Sequence, residues 1–186
     1  MLIFISGGVR SGKSSFAEKL AYSLVTPSQA KLIYVATSLG GDHEMQMRIE
    51  RHQIDRINSG YLWETREQPV NLEKLLPFFA NDQIVLIDCL TILVANELFS
   101  ELGKWDDPFY VQGIYTRIVN FIDEIGRRGI VTMIVSNELF NDSIDYDEAT
   151  LIYLKLVAQL HQMLVKKASS AYLVEVGIPL QMKGCE

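Results

Sequence analysis

The amino-acid sequence predicts an α/β fold, a mostly parallel sheet with helices on both of its faces. Short apolar runs alternate along the chain with segments whose apolar residues recur at helical spacing. This alternation is typical of parallel sheets, because the helices that connect parallel strands cover both faces. The 186 residues, of which 48% are hydrophobic, suffice for one substantial core but not for two. We therefore expect a single domain that spans residues 1–186.

Four core strands and four helices can be placed from these patterns. The strands are Leu2–Ser6, Leu32–Ala36, Ile84–Ile87 and Ile130–Val135, and the helices are Lys13–Leu24, His43–Ile57, Ile114–Arg127 and Glu148–Lys167. Ala171–Val176 and Leu180–Met182 predict a final strand or hairpin around Gly177. Residues 99–109 and 138–148 form long connections, which often mark function or mobility, although the second is acidic and is also typical of a solvated loop.

The composition excludes several classes of function. A formal net charge of -6 and a pI near 5.1 argue against a broad surface for nucleic acid or for anionic lipid. No apolar run reaches the roughly 20 residues that a membrane-spanning helix needs, so we expect a cytoplasmic protein that acts on small molecules. Cys89 and Cys185 lack the spacing of metal ligands, and a disulfide is not expected in this compartment.

The strongest motif is a glycine-rich segment between the first strand and the first helix. Its spacing, Gly-xxxx-Gly-Lys-Ser, is that of a P-loop, in which backbone N–H groups surround the phosphates of a nucleoside triphosphate. Lys13 would reach the β- and γ-phosphates, and the hydroxyl of Ser14 would bind Mg²⁺. The fold is therefore predicted to be a P-loop domain of the RecA-like type. The residues of the motif are Gly7, Gly8, Val9, Arg10, Ser11, Gly12, Lys13 and Ser14.

A P-loop also needs an acidic residue to hold the metal, usually at the end of a neighbouring buried strand. Asp88, directly after Ile84–Ile87, fits this role. The same aspartate could instead cap a helix that begins near Cys89.

The predicted helix after Asp42 carries a polar stripe. Glu44, Arg48, His52 and Arg56 recur every four residues and so lie on one face. Repulsion from the two arginines would keep the imidazole of His52 neutral, which is the form that can act as a nucleophile. The arginines could also bind phosphates. A solvent-exposed face with salt bridges would produce the same pattern.

Six segments, in their order along the chain, resemble one enzyme family. They read GGVRSGKSSFAE, YVATS, DHEMQMRIERHQIDR, WETREQP, LIDCLTILVANEL and VSNEL. The chain resembles the bifunctional adenosylcobinamide kinase and adenosylcobinamide-phosphate guanylyltransferase family of cobalamin biosynthesis. The resemblance implies phosphorylation of adenosylcobinamide, followed by transfer of GMP from GTP to its phosphate through a GMP-histidine intermediate. It also implies the use of ATP, GTP and Mg²⁺ by a homo-oligomer, in this family a trimer.

The resemblance assigns roles to individual residues of this chain. His52 would carry the GMP, and Lys13 would stabilise the leaving pyrophosphate. The other nucleotide contacts would come from the P-loop and from Thr37, Ser38, Gln53, Ile54, Asp55, Arg56, Glu67 and Asp88.

The chain departs from the family pattern after Asn137. A glycine-proline turn and an arginine-containing helix are missing from this point, and His161 stands where the family has asparagine. Three interpretations follow for the function. The chain could retain both activities with an altered corrinoid side. It could keep only one activity, on cobinamide or on another small molecule. It could also be a nucleotide-binding remnant with a regulatory role.

Overall fold

The computed structural model describes residues 1–25, 31–38, 54, 60–140 and 145–184. The strands are β1 (Leu2–Gly7), β2 (Lys31–Ala36), β3 (Trp63–Glu67), β4 (Gln83–Asp88), β5 (Val131–Asn137), β6 (Ser170–Glu175) and β7 (Ile178–Lys183). The α-helices are α1 (Lys13–Leu24), α2 (Leu90–Phe99), α3 (Pro108–Arg127) and α4 (Glu148–Lys167), and a 3₁₀ helix spans Leu72–Phe78.

These strands form one sheet in the order β3-β2-β4-β5-β1-β6-β7. The six strands from β3 to β6 pair in parallel, and only β7 runs antiparallel, at the edge beside β6. In register, Gly7 pairs with Asn137, and Asp88 pairs with both Ala36 and Val135. The carboxyl ends of β1, β5, β4 and β2 therefore meet at one edge of the sheet, where open α/β folds bind their ligands.

Two apolar clusters cover the two faces of the sheet. On one face, Phe4, Val85 and Ile134 pack with residues of α2, α3 and α4. On the other face, Ile5 and other strand residues pack with Ala17 and Ala21 of α1. The expected α/β sheet with helices on both faces is confirmed, and so is the placement of the P-loop between a strand and a helix.

Strand β3 was not predicted from the sequence. Its segment, Trp63–Glu67, is mostly polar and lies beside β2 as an edge strand with several exposed residues. An edge strand keeps its backbone hydrogen bonds on one side without burying both faces, so the apolar signal of a core strand is missing.

Helix α3 begins at Pro108 instead of at Ile114. Asp107 caps the helix by accepting hydrogen bonds from the backbone N–H groups of Phe109 and Tyr110, and proline favours the first helical position. The 99–109 connection is thereby shortened. The predicted helix His43–Ile57 lies outside the described residues except for Ile54, which is helical.

Helix α2 belongs to the core. Leu93 and Leu98 are fully buried, whereas Phe99 at the end of the helix is half exposed. Cys89, just before the helix, is buried as a free thiol, and Cys185 lies outside the described residues. Among the described residues, no helix is both long enough and apolar enough to cross a membrane.

Candidate functional site

The segment between β1 and α1 folds as a compact loop. The N–H of Ser11 donates to the carbonyl of Gly8 at 3.2 Å, and the first helical bond runs from Phe16 N–H to Gly12 O at 2.9 Å. Gly12 adopts φ 89°, a left-handed conformation that glycine tolerates without steric cost. The first N–H groups of α1 have no partner within the helix, so the loop and the helix end together form an anion site.

Strand β6 and the turn that follows it fix this loop from one side. A Cβ added to Gly7 would lie 2.4 Å from the carbonyl oxygen of Val174, and one added to Gly12 would lie 3.2 Å from the Cα of Gly177. The N–H of Gly177 donates to Ser11 O at 2.8 Å. Glycine is therefore required at position 7 by the close backbone contact, and at position 12 by the left-handed conformation together with a tight contact.

The Lys13 side chain lies within the loop. Its Nζ donates to the carbonyl of Gly8 at 3.0 Å, and the residue is buried. Burial and the neighbouring Asp88 carboxylate raise the pKa of the Cys89 thiol to about 11, and the Lys13 ammonium opposes this rise. The lysine follows β1 and Asp88 ends β4, so the two lie at the same edge of the sheet with one strand, β5, between them.

Asp88 is half-buried at the end of β4, and its Oδ2 accepts a hydrogen bond of 2.9 Å from the Tyr34 hydroxyl. It does not cap α2, because the N-cap residue of that helix is Cys89 and the cap has no side-chain hydrogen bond. The strand next to β1 is β5, so Asp88 faces the P-loop across one intervening strand.

Magnesium is compatible with this pair of residues. Ser14, in the first turn of α1, and Asp88 offer hard oxygen ligands, and Mg²⁺ typically takes one or two protein ligands together with phosphates and water. No group of three or more His, Cys, Asp or Glu residues that could hold a metal occurs among the described residues. An all-protein metal cage is therefore not seen in that part of the chain.

Thr37 has a structural role at the end of β2. Its hydroxyl donates to Cys89 O and accepts from Cys89 N–H, both at 2.8 Å, and its own carbonyl accepts from Asn96 Nδ2 at 2.8 Å. Its N–H donates to Asp88 O at 3.1 Å. The threonine thus positions Asp88, while the neighbouring Ser38 remains half-buried at the same edge.

Glu67 extends the site to the far strand. It ends β3, pairs in register with Ala36, and is exposed. The four residues His52, Gln53, Asp55 and Arg56 lie outside the described residues. Ile54 lies among them in sequence and is described as helical and 55% exposed.

The end of β5 adds residues that were not predicted to belong to the site. Asn137 Nδ2 donates to Thr91 Oγ1 at 3.0 Å, and the N–H of Glu138 donates to Gly7 O at 2.9 Å. Polar residues directly after a buried strand are the sequence signal for such positions. The altered segment after Asn137 therefore begins against the phosphate loop.

One strand residue earlier, Ser136 and His161 form a buried hydrogen bond of 2.7 Å between Oγ and Nε2. The imidazole also contacts Phe4 and Phe140 edge-on. Burial lowers the pKa of His161 to about 4, so the ring is neutral at pH 7. His161 supports β5 from α4.

The fold and this edge define a P-loop nucleotide-binding α/β protein. The sequence pattern of the family described as cobinamide kinase / cobinamide phosphate guanyltransferase matches residues 3–182. The chain belongs to this family of nucleotide-dependent transferases. The matched range spans the altered segment after Asn137.

Three curated relatives match nearly the full length of the chain. It is 32% identical to the bifunctional adenosylcobalamin biosynthesis protein CobP of Pseudomonas aeruginosa, over 97% of this chain and 96% of the relative. It is 30% and 29% identical to the proteins named CobU of Escherichia coli and Salmonella typhimurium, over 98% of this chain and 100% of each relative. In fold it is similar to the flagellar accessory protein FlaH of Methanocaldococcus jannaschii, with a TM-score of 0.50, 18% identity, and coverage of 98% of this chain and 78% of that one.

We expect Gly7→Ala to weaken nucleotide binding by at least about tenfold, because the added methyl group would displace the loop from β6. The measurement is a titration with a fluorescent nucleoside triphosphate. Gly126→Ala is the matched control, since nothing lies within 4 Å of the added Cβ in α3. Equal affinity in the two variants would contradict the close contact at Gly7.

We also expect the free energy of unfolding to fall as the pH drops from about 6.5 to about 4. The folded chain holds the pKa of His161 near 4, below its usual value of 6.5, so the unfolded state binds more protons in this interval. His161→Gln should lessen the loss by on the order of 2 kcal/mol. Urea unfolding at several pH values measures the free energy of unfolding of wild type and of His161→Gln. If both fall in parallel with pH, the depressed pKa of His161 is refuted.

Proposed function

We propose that the chain phosphorylates adenosylcobinamide with ATP or GTP and then transfers GMP from GTP to the resulting phosphate. Membership of the family supports this function, and the observation that carries it is the row of polar residues along one sheet edge. The P-loop lies over β1, Asp88 at the end of β4, and Glu67 at the end of β3. We further propose a homo-oligomer that works in the cytoplasm.

The triphosphate of GTP lies on the P-loop, and its nucleoside extends toward β3. Four strand spacings separate β1 from β3, about 19 Å in total, which is comparable with an extended nucleoside triphosphate. Ser38 and Glu67 would then contact the nucleoside end, and the helix of His52 would lie over the α-phosphate between them. His52 lies in the segment that connects β2 to β3, and this segment starts at the same edge of the sheet.

Phosphoryl transfer relies on the loop and its lysine. Backbone N–H groups of residues 8–14 and the Lys13 ammonium stabilise charge on the β- and γ-phosphates. Lys13 must exchange its hydrogen bond to Gly8 O for one to phosphate. Ser14 and Asp88 would hold Mg²⁺, which when bound neutralises charge on the triphosphate. Tyr34 orients Asp88 through its hydroxyl.

Guanylyl transfer uses His52. A neutral imidazole nitrogen attacks the α-phosphorus of GTP, a nitrogen–phosphorus bond forms, and the bond to the bridging oxygen breaks, so pyrophosphate leaves toward Lys13. Arg48 and Arg56 offset the charge of the transferring group. The phosphate of adenosylcobinamide phosphate then attacks the same phosphorus, releases the imidazole and forms the diphosphate linkage.

We expect wild-type protein to become labelled on incubation with α-labelled GTP. The adduct should be acid-labile and base-stable, as histidine phosphoramidates are, and His52→Ala should abolish it. His43→Ala is the matched control, because this histidine lies on the same predicted helix and has no assigned role. Label that persists in His52→Ala would exclude this histidine as the nucleophile.

A product assay with adenosylcobinamide distinguishes the remaining alternatives. With ATP alone we expect the phosphate to accumulate, and with GTP we expect the GDP-linked product. Separation of the two by chromatography measures both steps. If only adenosylcobinamide phosphate forms even with GTP, the chain is a kinase without guanylyltransferase activity. If nucleotide binds but no product forms, the chain is a regulatory protein.

A further inference from the structure

The turn between β6 and β7 exposes apolar side chains beside the phosphate loop. Val176 is 93% exposed, and Ile178 at the start of β7 is 63% exposed. Val9, within the P-loop, is also 63% exposed. Apolar side chains that are exposed beside a ligand site are a feature of binding surfaces. We call these three residues the apolar platform.

The platform is fixed to the loop by the backbone. The N–H of Gly177, between Val176 and Ile178, donates to Ser11 O at 2.8 Å, and Gly177 Cα lies close to Gly12. Val176 itself adopts φ 49°, a left-handed conformation that is costly for a β-branched residue. Such a conformation persists only where the surrounding structure imposes it, so the valine has a defined position.

The position of the platform in the sheet limits what can bind there. Strands β6 and β7 lie on one side of β1, whereas β5, β4, β2 and β3 lie on the other. Asp88 and Glu67, the proposed contacts of the metal and the nucleoside, both lie on the second side. A nucleotide that extends from the P-loop toward β3 leaves the β6–β7 side of the loop open.

The reaction determines which substrate takes this side. In phosphoryl transfer the attacking and leaving oxygens lie roughly in line at the phosphorus. The leaving nucleoside diphosphate extends toward β3, so the acceptor hydroxyl must approach from the β6–β7 side. The acceptor in the proposed function is a cobinamide, a corrin macrocycle that carries apolar methyl groups among the amide side chains of its periphery. An apolar surface beside the γ-phosphate can contact these methyl groups.

We propose that Val9, Val176 and Ile178 bind the corrin ring of the acceptor and so direct its hydroxyl to the phosphate loop. This inference rests on the proposed function and adds to it the docking surface of the second substrate. The same position serves the second reaction. Once pyrophosphate has left the loop, the phosphate of the docked cobinamide can occupy it and face the GMP carried by His52.

The test compares two aspartate substitutions in β7. Ile178→Asp places a charge on the platform, and Met182→Asp is the control, because Met182 is 67% exposed in the same strand. Met182 lies far from the phosphate loop, at the end of the sheet where the parallel strands begin. Its neighbour Lys183 pairs with Ala171, near the start of β6. Equilibrium dialysis, followed by the visible absorbance of adenosylcobinamide, measures binding without catalysis.

We expect Ile178→Asp to weaken adenosylcobinamide binding by about tenfold or more and Met182→Asp to change it less than twofold. Labelling by α-labelled GTP should have the same concentration dependence in both variants and in wild type. Val176→Asn guards against misfolding, because asparagine tolerates the left-handed conformation. It should weaken adenosylcobinamide binding while leaving the urea midpoint unchanged or higher.

Three results would contradict the proposal that the apolar platform binds the corrin ring. Unchanged adenosylcobinamide binding in Ile178→Asp and Val176→Asn would show that the ring docks elsewhere. A shift in the GTP dependence of labelling would place the nucleoside on this surface. A change of oligomeric mass in Ile178→Asp, measured by sedimentation, would make it a subunit contact. If wild type binds adenosylcobinamide on this surface but forms no product, the proposed function fails and the docking surface stands.

Discussion

The close backbone approach between β1 and β6 is the constraint on which this site depends. Gly7 lies against the carbonyl of Val174, and the following loop is bonded to the turn after β6 through Ser11 and Gly177. No side chain could stand at Gly7 without moving a core strand. The phosphate loop is therefore held by the rigid centre of the sheet, and its N–H groups need little reorganisation when an anion binds.

On the opposite side, β5 and β4 bring a second set of polar groups to the same edge. Thr37 links the end of β2 to the turn after β4, and Tyr34 bonds the Asp88 carboxylate from within β2. Asn137 and Thr91 link β5 to α2. Each of these hydrogen bonds ties one strand end to a neighbouring element, so the edge behaves as one preorganised surface rather than as a set of independent loops.

Much of this arrangement could be predicted from the sequence, and the reasons for the omissions are physical. The P-loop and the buried strands carry strong local signals, since glycine spacing and apolar runs reflect backbone approach and burial directly. Strand β3 was not predicted, because an edge strand with a polar sequence lacks the apolar pattern of a core strand. The structural role of Thr37 was not predicted either. Its hydrogen-bond partners, Cys89 and Asn96, are distant in sequence, and a single sequence does not show which distant residues are in contact. The platform also depends on a long-range contact, between residues 11 and 177.

The hydrogen bond from Lys13 to Gly8 O has a consequence for how the enzyme selects its ligand. The lysine is occupied by a carbonyl of its own loop, which acts as an internal ligand in competition with phosphate. A hydrogen bond to a charged group contributes about 1.5–3 kcal/mol, so an incoming anion must supply more than this before it displaces the carbonyl. A triphosphate, with several charged oxygens on the loop at once, meets that threshold far more readily than inorganic phosphate. A ligand that reaches Lys13 and several N–H groups of the loop together is therefore favoured over one that reaches the lysine alone.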